Sequence, residues 1–374
     1  MTQSQQRYLL LLYFSSYLFL APAVVVSACS TFCLRDGSHV LVGKNFDWYT
    51  GEGFLSVNAR HVSKTALVQP PELPVQWTAT YGSVTFNQIG REFPFGGMNE
   101  AGLVVELLWL SDTRYPPPDA RPALNELQWV QYQLDTAQSV AEVLRSAVAL
   151  RITQPHAAVH YFVCDRAGNV ATVEFLDGRL VAHTGATLPV PVLTNSSYLR
   201  SLDSLSAPRG FGTRGEMASF PSSLDRFVRA ATMVQHVIAS APSSLVDSAF
   251  AILAAVAQGS LTQWQIVYDL EHVQIVFTTQ ARQQAQTVAL HELDFACAVP
   301  RQMMELNGEQ AGQFKIYDTA QGQSLLQRVV SRLVDVGFFR QEPAVSEIMQ
   351  FARYPDSVVC RPEVPEKETT ESRR

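Results

Sequence analysis

Residues 9–26 form a nearly unbroken apolar run, preceded by the lone charge of Arg7 and closed by Val26-Ser27-Ala28, and directly after it comes Cys29-Ser30-Thr31-Phe32-Cys33. A run of this kind ending in small residues reads as an export signal cleaved before Cys29. The fold would then have to begin with a strand at that residue. Residues 31–35 and 39–46 are strand-like and flank Asp36-Gly37, a strong short-range hairpin signal. As a two-residue loop, that turn predicts that Cys33 faces Val40 and that Cys29 faces Lys44. Two other readings stay open. The run is long enough for a membrane span, and Val26-Ser27-Ala28-Cys29 also fits lipoprotein processing, in which acylation would block Cys29.

Cleavage before Cys29 gives one residue both a thiol and a free α-amine. The thiol is a nucleophile, and an amine with a pKa of about 7.7–8.0 can take and return a proton near neutral pH. Lys44 beside the thiol would favour the thiolate. Asp47 lies just beyond, where the strand must end or bulge to turn it inward and let it hold the amine. These residues point to an amide hydrolase with an N-terminal cysteine.

The remainder of the chain has the composition of a globular protein, 47% hydrophobic and 17% charged. A net charge of −6 without a basic patch argues against nucleic acid. The five cysteines are an odd set; with Cys29 free, Cys297–Cys360 is a candidate bridge. Cys29-x3-Cys33 lacks a second ligand pair and the eight histidines are scattered, so neither metal nor cofactor is expected. There is no G-x-S-x-G elbow.

In chain order, residues 50–95 read as strands and loops. A turn at 96–102 leads into an apolar strand at 103–110, with Asn99 fixing the turn as a substrate-side wall. Helices are expected at 124–134 and 137–150, then a meander at 160–165, 169–176 and 179–183. A short strand at 190–194 ends at Asn195, whose amide is a candidate oxyanion donor. A loop at 201–221 precedes a helix running to 240. Arg226 sits in its first turn, the wrong end for a cation by dipole arguments, so a specific partner would explain it. A helix at 243–258, a hairpin at 264–269 and 273–279, and amphipathic helices at 325–339 and 346–353 follow. The pattern is that of an α+β layered protein, organised as a signal at 1–28, one domain at 29–360 and a disordered charged tail at 361–374. Trp48, Phe54, Leu108 and Trp109 are candidates to line an apolar acyl pocket.

The combined motifs resemble the choloylglycine hydrolase family of linear amide C–N hydrolases, which includes penicillin V acylases and bile salt hydrolases among the N-terminal nucleophile hydrolases. The resemblance rests on Cys29-Ser30-Thr31-Phe32, Gly43-Lys44-Asn45-Phe46-Asp47-Trp48, Gly97–Leu103, Leu193-Thr194-Asn195-Ser196 and Ser222–Phe227. It implies a four-layer αββα sandwich of antiparallel sheets. Cys29 would be the nucleophile and its own amine the base, Asp47 would orient that amine, Asn195 would hold the oxyanion, and Arg226 would support the charge network. The substrate would be a small acyl amide, with no cofactor and no stable membrane association after processing. Two positions depart from the family: Lys44 stands for an arginine, losing the bidentate fork, and Trp109 stands for an asparagine. An acyltransferase sharing the same acyl-enzyme is the alternative activity. The Asn195–Arg226 interval is short for the tetramerisation insertion of bile salt hydrolases, so no tetramer is expected.

Overall fold

The structure is a computed structural model describing residues 29–153, 155–206, 221–240, 242–308, 311–338 and 345–361. The expected signal at 1–28 and nearly all of the tail lie outside the described residues, as does most of the expected 201–221 loop.

Strand β1 (Ser30–Asp36) and strand β2 (His39–Asp47) form the expected hairpin, but two residues out of the expected register. Asp36 pairs with His39, so the turn is Gly37-Ser38, with Gly37 at φ 60°. Cys33 therefore faces Val42 rather than Val40, and Lys44 faces Thr31 rather than Cys29. The turn sequence alone does not set the register, because each strand is also pinned on its other edge. Val192–Leu193 pairs with β1 and Thr262–Asp269 with β2. A shift of two preserves which side chains face which way, so Lys44 and Cys29 still share one face of the sheet.

The hairpin belongs to a six-stranded antiparallel sheet, ordered Val192–Leu193, β1, β2, Thr262–Asp269, Gln274–Thr279, Gln286–Ala289. A nine-stranded antiparallel sheet packs against it, with Val159–Cys164, Val104–Trp109, Pro94–Asn99 and Ser83–Asn87 at its centre. Helices Ser223–Ser240 and Leu245–Ala255 cover the first sheet, and Glu126–Thr136 covers the second with Val140–Ala149 beside it. One apolar cluster fills the space between the sheets with Val42, Val84, Phe86, Met98 and Leu108, and a second lies under the helices at 126–149 with Val105, Trp129, Val130 and Tyr161. The expected αββα layering is what forms.

Element boundaries moved to where capping chemistry puts them. Asn125 accepts from the N–H groups of Leu127 and Gln128 and starts its helix at Glu126; Ser139 and Ser244 cap the helices beginning at Val140 and Leu245. Tyr198–Ser206 is a helix where the sequence reads partly as loop. Its Tyr198 hydroxyl is buried against the Val190 carbonyl, which anchors it. Near the C-terminus the helices are Thr319–Asp335 and Val345–Arg353. Cys297 and Cys360 are disulfide-bonded, and strand Val359–Cys360 separately pairs with Val62–Thr65. Among the described residues no helix is long and apolar enough to cross a membrane.

Candidate active site

Three strands and one helix converge on Cys29. Thr31 pairs with Leu193 and Phe32 with Val192, and the Cys33 N–H donates to the Pro191 carbonyl at 2.9 Å. Extending that register outward sets Asn195 beside Cys29 on one edge of β1. The β1–β2 register sets Phe46 beside it on the other. Cys29 is 6% exposed and its thiol is free.

Arg226, fully buried in the first turn of helix Ser223–Ser240, has the specific partners its position called for. Its Nη1 donates to the Cys29 carbonyl at 2.7 Å and to Ser30 Oγ at 2.6 Å, and its Nη2 donates to Asn195 Oδ1 at 3.0 Å. Asn195 Nδ2 donates to the Trp109 carbonyl at 2.8 Å. The amide is thus held at both ends, and its second Nδ2 hydrogen is left for another acceptor. Burial lowers the Arg226 pKa, while the charges of Asp47 and Cys29 oppose that shift.

Asp47 turns inward at a bulge, as expected, though the bulge lies in the partner strand. Thr262 pairs with Asp47 and Trp264 with Phe46, so Gln263 is the extra residue. Thr262 Oγ1 donates to Asp47 Oδ1 at 2.6 Å, and Gln258 Nε2 lies 3.4 Å from Oδ2. Burial pushes the Asp47 carboxyl up to about 6, against the opposing pull of Arg226. Burial also raises the Cys29 thiol. Lys44 is the strongest influence pulling it down, the Asp47 charge pushes it up, and the Asp47 backbone N–H and Arg226 pull it down.

Lys44 acts from the neighbouring rung. Its ammonium lies between the sheets, 2.5 Å from the Leu107 carbonyl and 3.4 Å from Glu106 Oε2, and Tyr268 donates to Glu106 Oε1. Glu106 fits only because residue 96 is glycine: a Cβ there would fall 2.3 Å from the carboxylate. Burial raises the Glu106 pKa while Lys44 lowers it.

Asn99 is not at this site. Its side chain donates to the Leu134 and Ala137 carbonyls and accepts from the N–H groups of Ala101 and Leu103. It closes the turn at the opposite end of the hairpin from Trp109 and staples it to helix Glu126–Thr136. The expected substrate-side wall is a structural joint. Trp48 and Trp109 are at the site, both half-buried, Trp48 following β2 and Trp109 ending its own strand. Phe54 and Leu108, by contrast, are fully buried core.

Sequence reasoning missed Ser30, Gln258, Thr262, Glu106 and Tyr268. Only Glu106 carried a signal, as a lone carboxylate inside an apolar strand, which requires a buried partner. Among the described residues, one group has metal-ligand chemistry: His39, Glu271 and His272, with ligand atoms within 4.8 Å of one another. It lies at the hairpin-turn end of β2, away from Cys29, and Asp269 holds both imidazoles, at 3.3 and 2.8 Å.

With this geometry in view, comparison with known proteins is consistent. Residues 29–211 match the model of linear amide C–N hydrolases, choloylglycine hydrolase family. A penicillin V acylase from Pectobacterium atrosepticum is 26% identical, over 64% of this chain and 77% of that protein. The structure of a penicillin V acylase from Agrobacterium tumefaciens superposes with a TM-score of 0.67 at 25% identity, over 78% of this chain and 98% of that one. A conjugated bile acid hydrolase from Clostridium perfringens shares the fold, with a TM-score of 0.61 at 17% identity, over 78% of this chain and 100% of that one.

Proposed function

Since this chain belongs to the choloylglycine hydrolase family of linear amide C–N hydrolases, we propose that it is an exported acylase acting through Cys29 as a processed N-terminal residue, on an acyl amide of the penicillin V type. Residues 1–28 serve as the export signal, and their removal creates the α-amine that the chemistry needs.

The Cys29 thiol attacks the amide carbonyl while the α-amine takes the thiol proton. The amine passes that proton to the leaving nitrogen as the C–N bond breaks, leaving a thioester. Water then attacks the thioester, the amine takes the proton from water, and the acid departs as the thiol re-forms. Asp47 holds the α-ammonium in place. The free Nδ2 hydrogen of Asn195 donates to the tetrahedral oxyanion. Lys44 and the Asp47 N–H pull against the burial that raises the thiol pKa. The acyl group lies toward Trp48 and Trp109, whose rings favour a flat apolar group.

The observation that carries this reading is the Arg226 fork. One guanidinium binds the carbonyl of the nucleophile residue and the amide oxygen of Asn195, so nucleophile and oxyanion donor are held to the same rigid point.

The test is N-terminal sequencing and intact mass of the exported protein, repeated after brief exposure to penicillin V. A chain starting at unmodified Cys29, carrying a phenoxyacetyl adduct absent from Cys29→Ser, is expected. A mature chain starting elsewhere, or a lipidated Cys29, overturns the reading.

A further inference from the structure

The C-terminal part of the chain returns to the site. Helix Thr319–Asp335 buries Leu325, Val329 and Leu333 against Phe54 and Met303. It ends at Gly337, whose φ of 73° lies in the left-handed region. The Gly337 N–H donates to the Val334 carbonyl and the Phe338 N–H to the Leu333 carbonyl, both at 2.9 Å. A left-handed glycine with such a six-to-one bond is a Schellman cap, and it fixes where the next side chain points.

Here the cap delivers Phe338 between the ends of the two sheets. The Phe338 ring stands edge-on to Trp48 at 5.1 Å and to Trp109 at 6.2 Å, and lies 6.1 Å from Tyr49. Trp48 belongs to the end of the six-stranded sheet and Trp109 to the nine-stranded one. Trp48 lies 6.4 Å from Phe46, which flanks Cys29 by register. The Trp109 carbonyl holds Asn195, which flanks Cys29 on the other edge. The circuit Cys29, Phe46, Trp48, Phe338, Trp109, Asn195 therefore closes around the nucleophile. The Trp48 indole N–H is buried with no acceptor among the described residues. A buried donor in that state is costly, which marks this part of the circuit as a ligand-facing surface rather than finished core.

We propose that Phe338 is the outer wall of the acyl subsite and sets the bulk of acyl group that this chain accepts. The inference rests on the acylase reading above and adds a specificity-determining residue from outside the family-matched segment. Phe338 packs edge-on against both indoles and so closes the gap between Trp48 and Trp109; truncating it would open the circuit to a bulkier acyl group.

The test uses the full mature chain, with Phe338→Ala and Phe338→Leu, on 4-nitroanilides of phenoxyacetic, hexanoic and dodecanoic acids. Phe338→Ala should raise the dodecanoyl-to-phenoxyacetyl ratio of kcat/KM by about tenfold or more, a discrimination in the range of small apolar-pocket changes. Phe338→Leu should fall between, with the pH profile unchanged in both. Binding of the three free acids to Cys29→Ala, followed by tryptophan fluorescence, should show the same shift when Phe338→Ala is added. Cleavage with unchanged ratios overturns the inference and leaves the acylase reading standing. Shifted binding without cleavage by the wild type overturns the acylase reading and keeps the wall. Neither cleavage nor binding overturns both.

Discussion

Replacing Arg226 by lysine keeps the charge and removes the fork. Arg226 makes three hydrogen bonds, at 2.7 Å to the Cys29 carbonyl, 2.6 Å to Ser30 Oγ and 3.0 Å to Asn195 Oδ1. A single ammonium in the place of Nη1 can serve the Cys29 carbonyl and Ser30 Oγ but not Asn195 Oδ1 as well, so one buried acceptor loses its donor. Such a loss costs about 1–3 kcal/mol, and we expect a net destabilisation of that size. A domain of ordinary stability, about 5–15 kcal/mol, still folds. The catalytic consequence is separate. Without Nη2, Asn195 is held only through Trp109, and the oxyanion donor we propose loses its fixed direction. Outright removal of such a donor costs about 10²–10³ in kcat, so Arg226→Lys should cost a large part of that. Urea unfolding and steady-state kinetics on penicillin V would be run for Arg226→Lys, Asn195→Ala and the double variant. If Arg226 acts through Asn195, the double variant should be little worse than Asn195→Ala in kcat, because contacting residues are not additive. Multiplicative losses, or an unchanged urea midpoint in Arg226→Lys, would refute the argument.

Asp47→Asn should separate stability from function. Burial lifts this carboxyl from 3.8 to about 6, so between those values the unfolded chain has released its proton while the folded chain keeps it. Stability therefore falls as pH rises from about 4 to about 6, by up to about 3 kcal/mol for a shift of this size. With residue 29 still peptide-linked, Asp47→Asn should remove that slope in thermal melts at pH 4.5 and 7.5, and in the processed enzyme it should abolish turnover. Lys44→Met leaves Glu106 buried without its cation, which should cost about 3–5 kcal/mol. It should also slow iodoacetamide alkylation of Cys29 at pH 7, since Lys44 is the main influence lowering that thiol's pKa. Reduction of Cys297–Cys360, which spans 63 residues, should lower stability by about 4 kcal/mol on loop-entropy grounds; a urea midpoint unmoved by dithiothreitol would contradict this.

The amino-acid sequence determined the local events. Cys29 after an apolar run, the hairpin after it, Asn195 at the end of a short strand and Arg226 in a first helical turn were all legible, because each is a matter of near neighbours and residue type. The αββα order was legible through the resemblance. What only the tertiary structure decided is which distant residues meet. The hairpin register moved by two because Val192–Leu193 and Thr262–Asp269 pin its outer edges, a constraint absent from the turn itself. Asn99 looked like a site residue and became a joint, because its amide faces the carbonyls of a helix 35 and 38 residues away. Thr262 reached Asp47 through a bulge across 215 residues. Phe338 closed a circuit begun at Cys29 because a helix cap aimed it there. Periodicity and turn chemistry encode how a segment folds on itself; which side chain lies across a sheet interface follows from packing two sheets and four helices at once.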